Sequence, residues 1–280
     1  MRVPGDASAV RLASLIVRFR SLPGLNVPEK LRDWDVDVES PSSPVWTILY
    51  GTKPSPRLSF DRERREARIG RAGGRSDARG ALSYPQALLE LLIFHDVLPI
   101  HAAAFTGRTP EEGATLVSAP SGGGKSSLSW LAASHGRGLL SDDHVGLRRS
   151  GAGLELVPLK RSVAVDPVHM GRRPENATEE PMAGGTKLRF DPQTLIANCR
   201  VSASAPRRLV FLERGASRHI EPLSPAEAFT RLVPQSAALL PSARKLLALL
   251  RDLADSTPAT VAALTASCLK DPGVLDELGA

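Results

Sequence analysis

The amino-acid sequence predicts an α/β fold, with a mixed sheet flanked by helices, a small mostly β N-terminal region and a helical C-terminal end. Three observations predict it. An apolar segment at 114–118 leads through glycines into a helical segment at 126–134. An apolar run at 207–214 is typical of a buried strand, and residues 243–254 show the helical period. We expect two regions, residues 1–80 and residues 81–280.

The composition excludes several classes of protein. The chain has 280 residues and a net charge of +6, which we interpret as solvation of a globular protein and not as nucleic-acid binding. No apolar run of about 18 residues occurs, so we expect no membrane span, and no N-terminal secretory pattern is evident. Cys199 and Cys268 lack metal-ligand spacing, which favours free thiols in a cytoplasmic protein.

Residues 1–80 carry the predicted β region. Apolar or alternating patterns predict strands at 10–19, 34–39 and 45–50. The segment 51–80 is rich in arginine, and within it 58–60 and 67–69 are expected to form a hairpin. In one interpretation these arginines form a basic patch for an acidic partner, and in the other they lie in a solvated connection, which we favour. No aromatic residues alternate with them, which weakens the case for single-stranded nucleic acid as the partner.

Residues 85–118, which precede the central motif, are predicted to form a helix and two strands. Pro85 suits the first turn of a helix over 85–96, whose leucines cover much of its circumference and indicate burial. Residues 98–105 are expected to form one buried strand, 107–113 a polar turn, and 114–118 the next strand.

The next segment matches a phosphate-binding loop. The pattern is Gly, four residues, Gly-Lys-Ser/Thr, and only Ala119 departs from it, where the first glycine is expected. Successive glycine amides can turn inward around an anion, at the positive end of the following helix. Lys125 is expected to reach the β- and γ-phosphates, and Ser126 to offer its hydroxyl to Mg²⁺. The predicted nucleotide-binding residues are Pro120, Ser121, Gly122, Gly123, Gly124, Lys125, Ser126 and Ser127.

Two adjacent carboxylates follow the next predicted strand. Asp142 and Asp143 come directly after two leucines, close behind the strand, loop and helix. In phosphate-loop enzymes an aspartate at such a strand end serves the Mg²⁺ ion. We therefore predict Asp142 as a metal ligand.

The remaining elements are predicted from local patterns. We expect a hairpin over 154–165 that carries Lys160 and Arg161, and a long loop over 166–185. Extended structure is expected at 187–190 and a buried strand at 207–214. Ser224 and Glu227 form a capping-box pattern at a helix start. A helix at 243–254, a strand at 260–264 and a short helix at 272–278 complete the chain.

These motifs resemble the HPr kinase/phosphorylase family, and more closely its shorter relatives, called HPr kinase-related proteins. The loop from Ser121 to Ser126 is similar to the family's Ser-Gly-x-Gly-Lys-Ser. Residues 139–145 are similar to its Leu-Val-Ala-Asp-Asp-x-Val, and the spacing between Lys125 and Asp143 also matches. His101 corresponds to the family's histidine on the strand before the loop strand. The resemblance covers about residues 85–215.

The resemblance implies a nucleotide-binding domain of HPr kinase type that uses ATP and Mg²⁺. It implies that Asp143 is the general base toward an acceptor serine and that His101 is its partner. His144 we interpret as structural. Lys125, Asp143 and His101 are thus the predicted catalytic residues.

The chain departs from the family at one motif. The downstream Glu-x-Arg-Gly segment, which supplies a further Mg²⁺ ligand, is absent, and Glu179 and Glu180 match no motif. Phosphorylase activity, HPr as acceptor and the family's hexameric assembly are therefore not carried over, and a homo-oligomer stays one alternative. The candidates for a cation that assists catalysis are Arg161, Lys187 and Arg214.

The first functional interpretation is a kinase that moves the γ-phosphoryl of ATP to a serine of a small protein or ribosomal peptide. The second is a nucleotide-binding regulatory protein with little catalysis, favoured by Ala119 and the missing glutamate motif. The third is a small-metabolite kinase or a carboxykinase-like enzyme, because these share the loop architecture. An aligned His101 and Asp143 would favour the first interpretation over the second.

Overall fold

The computed structural model describes residues 9–12, 15–20, 45–54, 58–61, 66–71, 84–151, 153–159, 162–182, 185–237 and 241–279. The chain divides into two compact units, Met1–His95 and Asp96–Ala280. Among the described residues, no helix combines the length and the apolar character that a membrane crossing requires. The predicted strand at 34–39 lies outside the described residues.

The described residues of the first unit form a five-stranded sheet and one helix. The sheet order is β1-β2-β3-β5-β4, in which β3 runs parallel to both β2 and β5. The pair β4 and β5 is the antiparallel hairpin predicted from the sequence. The bounds are β1 Ala9–Leu12, β2 Leu15–Arg20, β3 Val45–Pro54, β4 Leu58–Asp61, β5 Glu66–Arg71 and α1 Tyr84–Phe94.

The second unit is built on a six-stranded mixed sheet. Its order is β16-β17-β15-β8-β7-β9, and two three-stranded sheets, β11-β10-β6 and β12-β14-β13, accompany it. The first strands are β6 Leu98–Ile100, β7 Ala103–Thr106, β8 Ala114–Ser118, β9 Leu139–Ser141, β10 Val145–Ser150 and β11 Gly153–Pro158. The others are β12 Val163–Val165, β13 Thr178–Met182, β14 Gly185–Phe190, β15 Pro206–Arg214, β16 His219–Leu223 and β17 Ala259–Leu264.

The part of this unit that the structure describes contains four α-helices. They are α2 Lys125–Ser134, α3 Pro225–Leu232, α4 Leu247–Ser256 and α5 Gly273–Glu277. The predicted capping box is present at α3, where Ser224 Oγ accepts from the Glu227 amide and the Glu227 carboxylate accepts from the Ser224 amide. The predicted helix at 243–254 is a 3₁₀ helix at Pro241–Leu246 followed by α4.

The core that positions α2 joins the large sheet to one of the small sheets. Leu128 of α2, Phe105 of β7, Val117 of β8 and Val165 of β12 belong to one buried cluster. Trp130 of α2 meets the Phe190 ring edge-on, with 5.3 Å between the ring centroids. The helix is therefore held between two apolar layers, which fixes the place of its N-terminal turn.

The prediction of one strand over 98–105 was wrong. The chain turns at His101 and Ala102, where the His101 amide donates to the Gln235 carbonyl at 2.6 Å. Strand β6 pairs with β10, whereas β7 pairs with β8 and β9. An apolar run does not reveal such a change of sheet, because both halves are buried.

The predicted hairpin and long loop at 154–185 were also wrong. Strand β11 pairs with the preceding strand β10 and not, as the predicted hairpin requires, with β12. Strand β12 pairs instead with β14. The expected loop contains a 3₁₀ helix at Pro167–His169 and strand β13. Glu180 therefore lies in a strand, where it accepts a hydrogen bond from Arg189. The pairing of β12 with β14 joins segments separated by β13, which local patterns do not reveal. The pairs β10–β11 and β13–β14 are hairpins of consecutive strands.

Candidate functional site

The topology brings three chain segments to one edge of the large sheet. Strand β7 lies between β8 and β9 and is antiparallel to both. The start of β7 therefore meets the ends of the two neighbours, with Ala103 opposite Val117 and Ala104 opposite Ser141. His101, the glycine loop after β8 and the aspartates after β9 consequently lie along this edge.

The glycine loop depends on backbone conformations that favour glycine. Gly122 has φ 76° and Gly124 has φ 99°. The Gly123 amide donates to the Pro120 carbonyl at 3.0 Å, and a Cβ at Gly123 would lie 2.7 Å from the Cβ of Ala119. The methyl group at Ala119, the one departure from the motif, thus occupies space that Gly123 leaves open.

Lys125 is buried at the start of α2, with 6% of the residue exposed. Its Nζ donates to the Ala119 carbonyl at 2.6 Å and to the Pro120 carbonyl at 3.4 Å. The ammonium group therefore lies against the backbone of the loop.

The electrostatic environment of Lys125 is mixed. Burial lowers the pKa of its ammonium group, and the nearby Asp143 carboxylate opposes that shift. Lys187 adds to the lowering, and Asp142 also opposes it. The predicted cation, the two predicted carboxylates and Lys187 are thus close enough to interact.

The two aspartates have different surroundings although they are adjacent in sequence. Asp142 is 2% exposed, and its Oδ2 accepts from the Ala164 amide at 2.8 Å. The Asp143 side chain is 30% exposed. The first carboxylate is therefore held in the interior, and the second is accessible to a substrate.

Two histidines hold the accessible carboxylate. His101 Nδ1 lies 3.1 Å from Asp143 Oδ1, and His144 Nδ1 lies 2.9 Å from Asp143 Oδ2. The two imidazole rings are 5.0 Å apart between centroids. Ser141 Oγ accepts from the amides of Asp143 and His144 at 3.4 and 3.3 Å, which fixes the turn that carries both residues.

The other predicted residues are distributed around the loop. Pro120 and Ser121 lie in it, and Ser126 and Ser127 form the first turn of α2. Strand β15 extends three residues beyond the last residue that pairs with β8, which is Phe211 opposite Ser118. Its last residue, Arg214, donates from Nη2 to the Gly122 carbonyl at 2.8 Å. Arg161 lies outside the described residues.

Sequence reasoning missed two partners at this site. His144 was interpreted as structural, yet its ring contacts Asp143; its position beside the aspartate pair was the one available signal. The Ala164 amide that holds Asp142 carried no signal, because every residue except proline has an amide.

The donor set fits a nucleotide with Mg²⁺. A loop with two left-handed glycines, a buried ammonium group and a helix N-terminus suits phosphate oxygens. Hydroxyl and carboxylate oxygens are the ligands that Mg²⁺ prefers. Ser126 and Asp142 are the residues that would hold the ion, and Asp143, the predicted base, is within reach of solvent.

Comparisons with known proteins add little to this geometry. No protein-family model and no curated protein matches the chain. The chain is similar to a solved structure, the Hpr(Ser) kinase/phosphatase from Coxiella burnetii, at 14% sequence identity and a TM-score of 0.35. That match covers 65% of this chain and 93% of the other. Its name agrees with the family that the motifs resemble, but such a low TM-score carries no argument, so membership stays a prediction.

Proposed function

We propose that this chain is an ATP-dependent phosphotransferase that moves the γ-phosphoryl group of ATP to a hydroxyl group. The acceptor is a serine of a small protein or ribosomal peptide. The observation that carries the proposal is the contact of 3.1 Å between His101 and Asp143, on the sheet edge that also bears the glycine loop.

The loop residues bind and orient the phosphates. The amides of Gly122 and Gly124 and the Lys125 ammonium group supply donors to phosphate oxygens, while the Gly123 amide holds the loop closed on the Pro120 carbonyl. Arg214 holds the Gly122 carbonyl, so the loop keeps its conformation when the nucleotide enters. Mg²⁺, held by Ser126 and Asp142, would offset the negative charge on the phosphoryl oxygens.

Asp143 takes the proton from the acceptor hydroxyl. The hydroxyl oxygen forms a bond to the γ-phosphorus, the bond between that phosphorus and the bridging oxygen of ADP breaks, and the proton moves to an Asp143 carboxylate oxygen. His101 orients the Asp143 carboxylate through its Nδ1 contact. The carboxylate therefore loses less conformational entropy when the proton is transferred.

The acceptor must reach a carboxylate that is only partly exposed. The Asp143 side chain is 30% exposed and has an imidazole on each oxygen. A serine on an extended peptide can bring its hydroxyl to such a position, since its short side chain projects directly from the backbone.

The test uses ATP labelled at the γ-phosphate, Mg²⁺ and small proteins and peptides from the source cell. Asp143→Asn is expected to lower transfer about 10²–10⁴-fold while nucleotide binding persists. Asp255→Asn is the matched control, because Asp255 pairs with Arg251 on the surface of α4. A labelled acceptor that disappears only in Asp143→Asn supports the proposal. Nucleotide binding without transfer to any acceptor overturns it and favours a regulatory protein.

A further inference from the structure

The cluster of His101, Asp143 and His144 has the composition of a metal site. One ligand atom from each residue lies within 4.8 Å of the other two. We propose that these three side chains bind one transition-metal dication of the Zn²⁺ class, at a site distinct from the Mg²⁺ ligands Ser126 and Asp142.

The distances suit such an ion. Nitrogen and oxygen ligands around a tetrahedral Zn²⁺ ion lie about 3.3 Å from one another, given metal–ligand bonds of about 2.0–2.1 Å. The two imidazole–carboxylate distances are 3.1 and 2.9 Å. With all three ligand atoms within 4.8 Å of one another, the ion would enter between the three groups by drawing the two imidazoles toward the carboxylate.

The ligand types select the metal. Imidazole nitrogens suit Zn²⁺, Co²⁺ and related ions, whereas Mg²⁺ prefers a shell of oxygen atoms. Two imidazoles and one carboxylate thus favour a transition metal over the magnesium that a nucleotide brings. With three protein ligands, a fourth position stays open to water or to a substrate oxygen.

The backbone holds the three ligands in place from two sides. The His101 amide donates to the Gln235 carbonyl, and Ser141 Oγ accepts from the Asp143 and His144 amides. The side chains remain accessible to an ion from solution, with exposures of 36% for His101 and 26% for His144. A site with fixed backbone and open side chains loses little conformational freedom when the metal enters.

On the proposed function, occupancy of this site has a regulatory consequence. A carboxylate that coordinates Zn²⁺ is a weaker base toward the acceptor hydroxyl, because the cation lowers its proton affinity. Zn²⁺ is therefore expected to inhibit phosphoryl transfer in the presence of excess Mg²⁺, without displacing the nucleotide from Lys125.

The experiment measures metal binding without nucleotide. Chelator-treated protein is titrated with Co²⁺, observed by its visible absorption band, and Zn²⁺ is then added as competitor. We expect one equivalent per chain and at least about a tenfold loss of affinity in His101→Ala and in His144→Ala. His219→Ala is the matched control, because His219 pairs with a single carboxylate, Glu221, on the surface.

A second measurement uses the unaltered protein. Diethyl pyrocarbonate modifies accessible histidines, and mass spectrometry locates the modified residues. Zn²⁺ is expected to protect His101 and His144 and to leave His219 reactive. No Co²⁺ binding, binding unchanged in both histidine variants, or equal labelling with and without Zn²⁺ overturns the proposal.

The two proposals fail separately. Lys125→Met is expected to weaken nucleotide binding and to keep Co²⁺ binding. Co²⁺ binding by a protein that binds no nucleotide refutes only the proposed function. Nucleotide binding and transfer by a protein that binds no Co²⁺ refutes only the metal site.

Discussion

The two ends of helix α2 both hold a buried cation, but they satisfy it in different ways. At the C-terminal end, Arg137 Nη2 donates to Asp276 Oδ1 at 2.9 Å, and Arg108 reaches the same carboxylate at 3.3 Å. At the N-terminal end, Lys125 contacts loop carbonyls, and within the described part of the chain it forms no salt bridge.

The pKa is lowered at both ends of α2, but the consequence for the charged form is opposite, because one group is an acid and the other a base. Hydrogen bonding to Arg108, together with Arg137, lowers the pKa of Asp276 and so favours its charged form. Burial lowers the pKa of Lys125 and so disfavours its charged form. One end is a completed ion pair, and the other keeps a cation at a cost in stability, as residues poised for a charged ligand do.

The largest expected effect is at Lys125. Lys125→Met should weaken nucleotide binding about 10–100-fold, because a hydrogen bond to a charged group contributes about 1.5–3 kcal/mol. The same variant should raise the free energy of unfolding by about 1 kcal/mol, because it removes a buried charge. Calorimetric titration and thermal melts measure the two effects.

The pH dependence sharpens this test. Burial lowers the folded-state pKa of Lys125 from its usual value of 10.5, so the cost of the buried ammonium group is fully present below that lowered pKa. The cost fades as the pH rises through the lowered pKa toward 10.5, and the stability advantage of Lys125→Met should shrink with it. Lys245→Met, at an exposed lysine paired with Asp96, should show neither effect.

A medium effect is expected at the glycines that flank α2. Gly124 has φ 99°, and a Cβ there would lie 2.9 Å from Leu269 Cδ1, whereas Gly136 has φ 79° and open space around its Cβ position. Gly136→Ala should cost about 1 kcal/mol from backbone strain alone. Gly124→Ala should cost about 2 kcal/mol and also weaken nucleotide binding. Equal costs in urea unfolding, with unchanged binding, would contradict this account of the loop.

The smallest effect is expected at Asp276. Its lowered pKa means that the carboxylate contributes stability above its usual pKa of 3.8, and this contribution is lost as the pH falls through the lowered value. Asp276→Asn should therefore melt at a lower temperature than the natural protein at pH 7, and the difference should narrow in acid. A difference that is constant with pH would mean that the ion pair with Arg137 does not stabilise this end of α2.

Local patterns predicted several elements correctly. The strand β8, the glycine loop and α2 followed from an apolar run, three glycines and a lysine, and the capping box at Ser224 followed from residue types at fixed spacing. The strand predicted at 207–214 is β15. In each case the signal is contained in neighbouring residues, so tertiary partners are not needed to identify it.

Pairings between distant segments could not be predicted in this way. The run 98–105 changes sheets at His101, because β6 pairs with β10 whereas β7 pairs with β8 and β9. Strand β12 pairs with β14, with β13 between them in sequence. At the site, nothing in the local sequence determines that the His144 ring contacts Asp143 or that the Ala164 amide holds Asp142.

The sequence alone determined the phosphate-loop motif, the aspartate pair and the histidine upstream of the loop strand, because each depends on residue types at short spacing. Only the tertiary structure decided that these segments meet at one edge. Strand β7 runs antiparallel between β8 and β9, so its start meets their ends. The same arrangement gave Asp142 and Asp143 different environments, because the Asp142 carboxylate meets the Ala164 amide in the interior and the Asp143 carboxylate meets the two imidazoles at the surface.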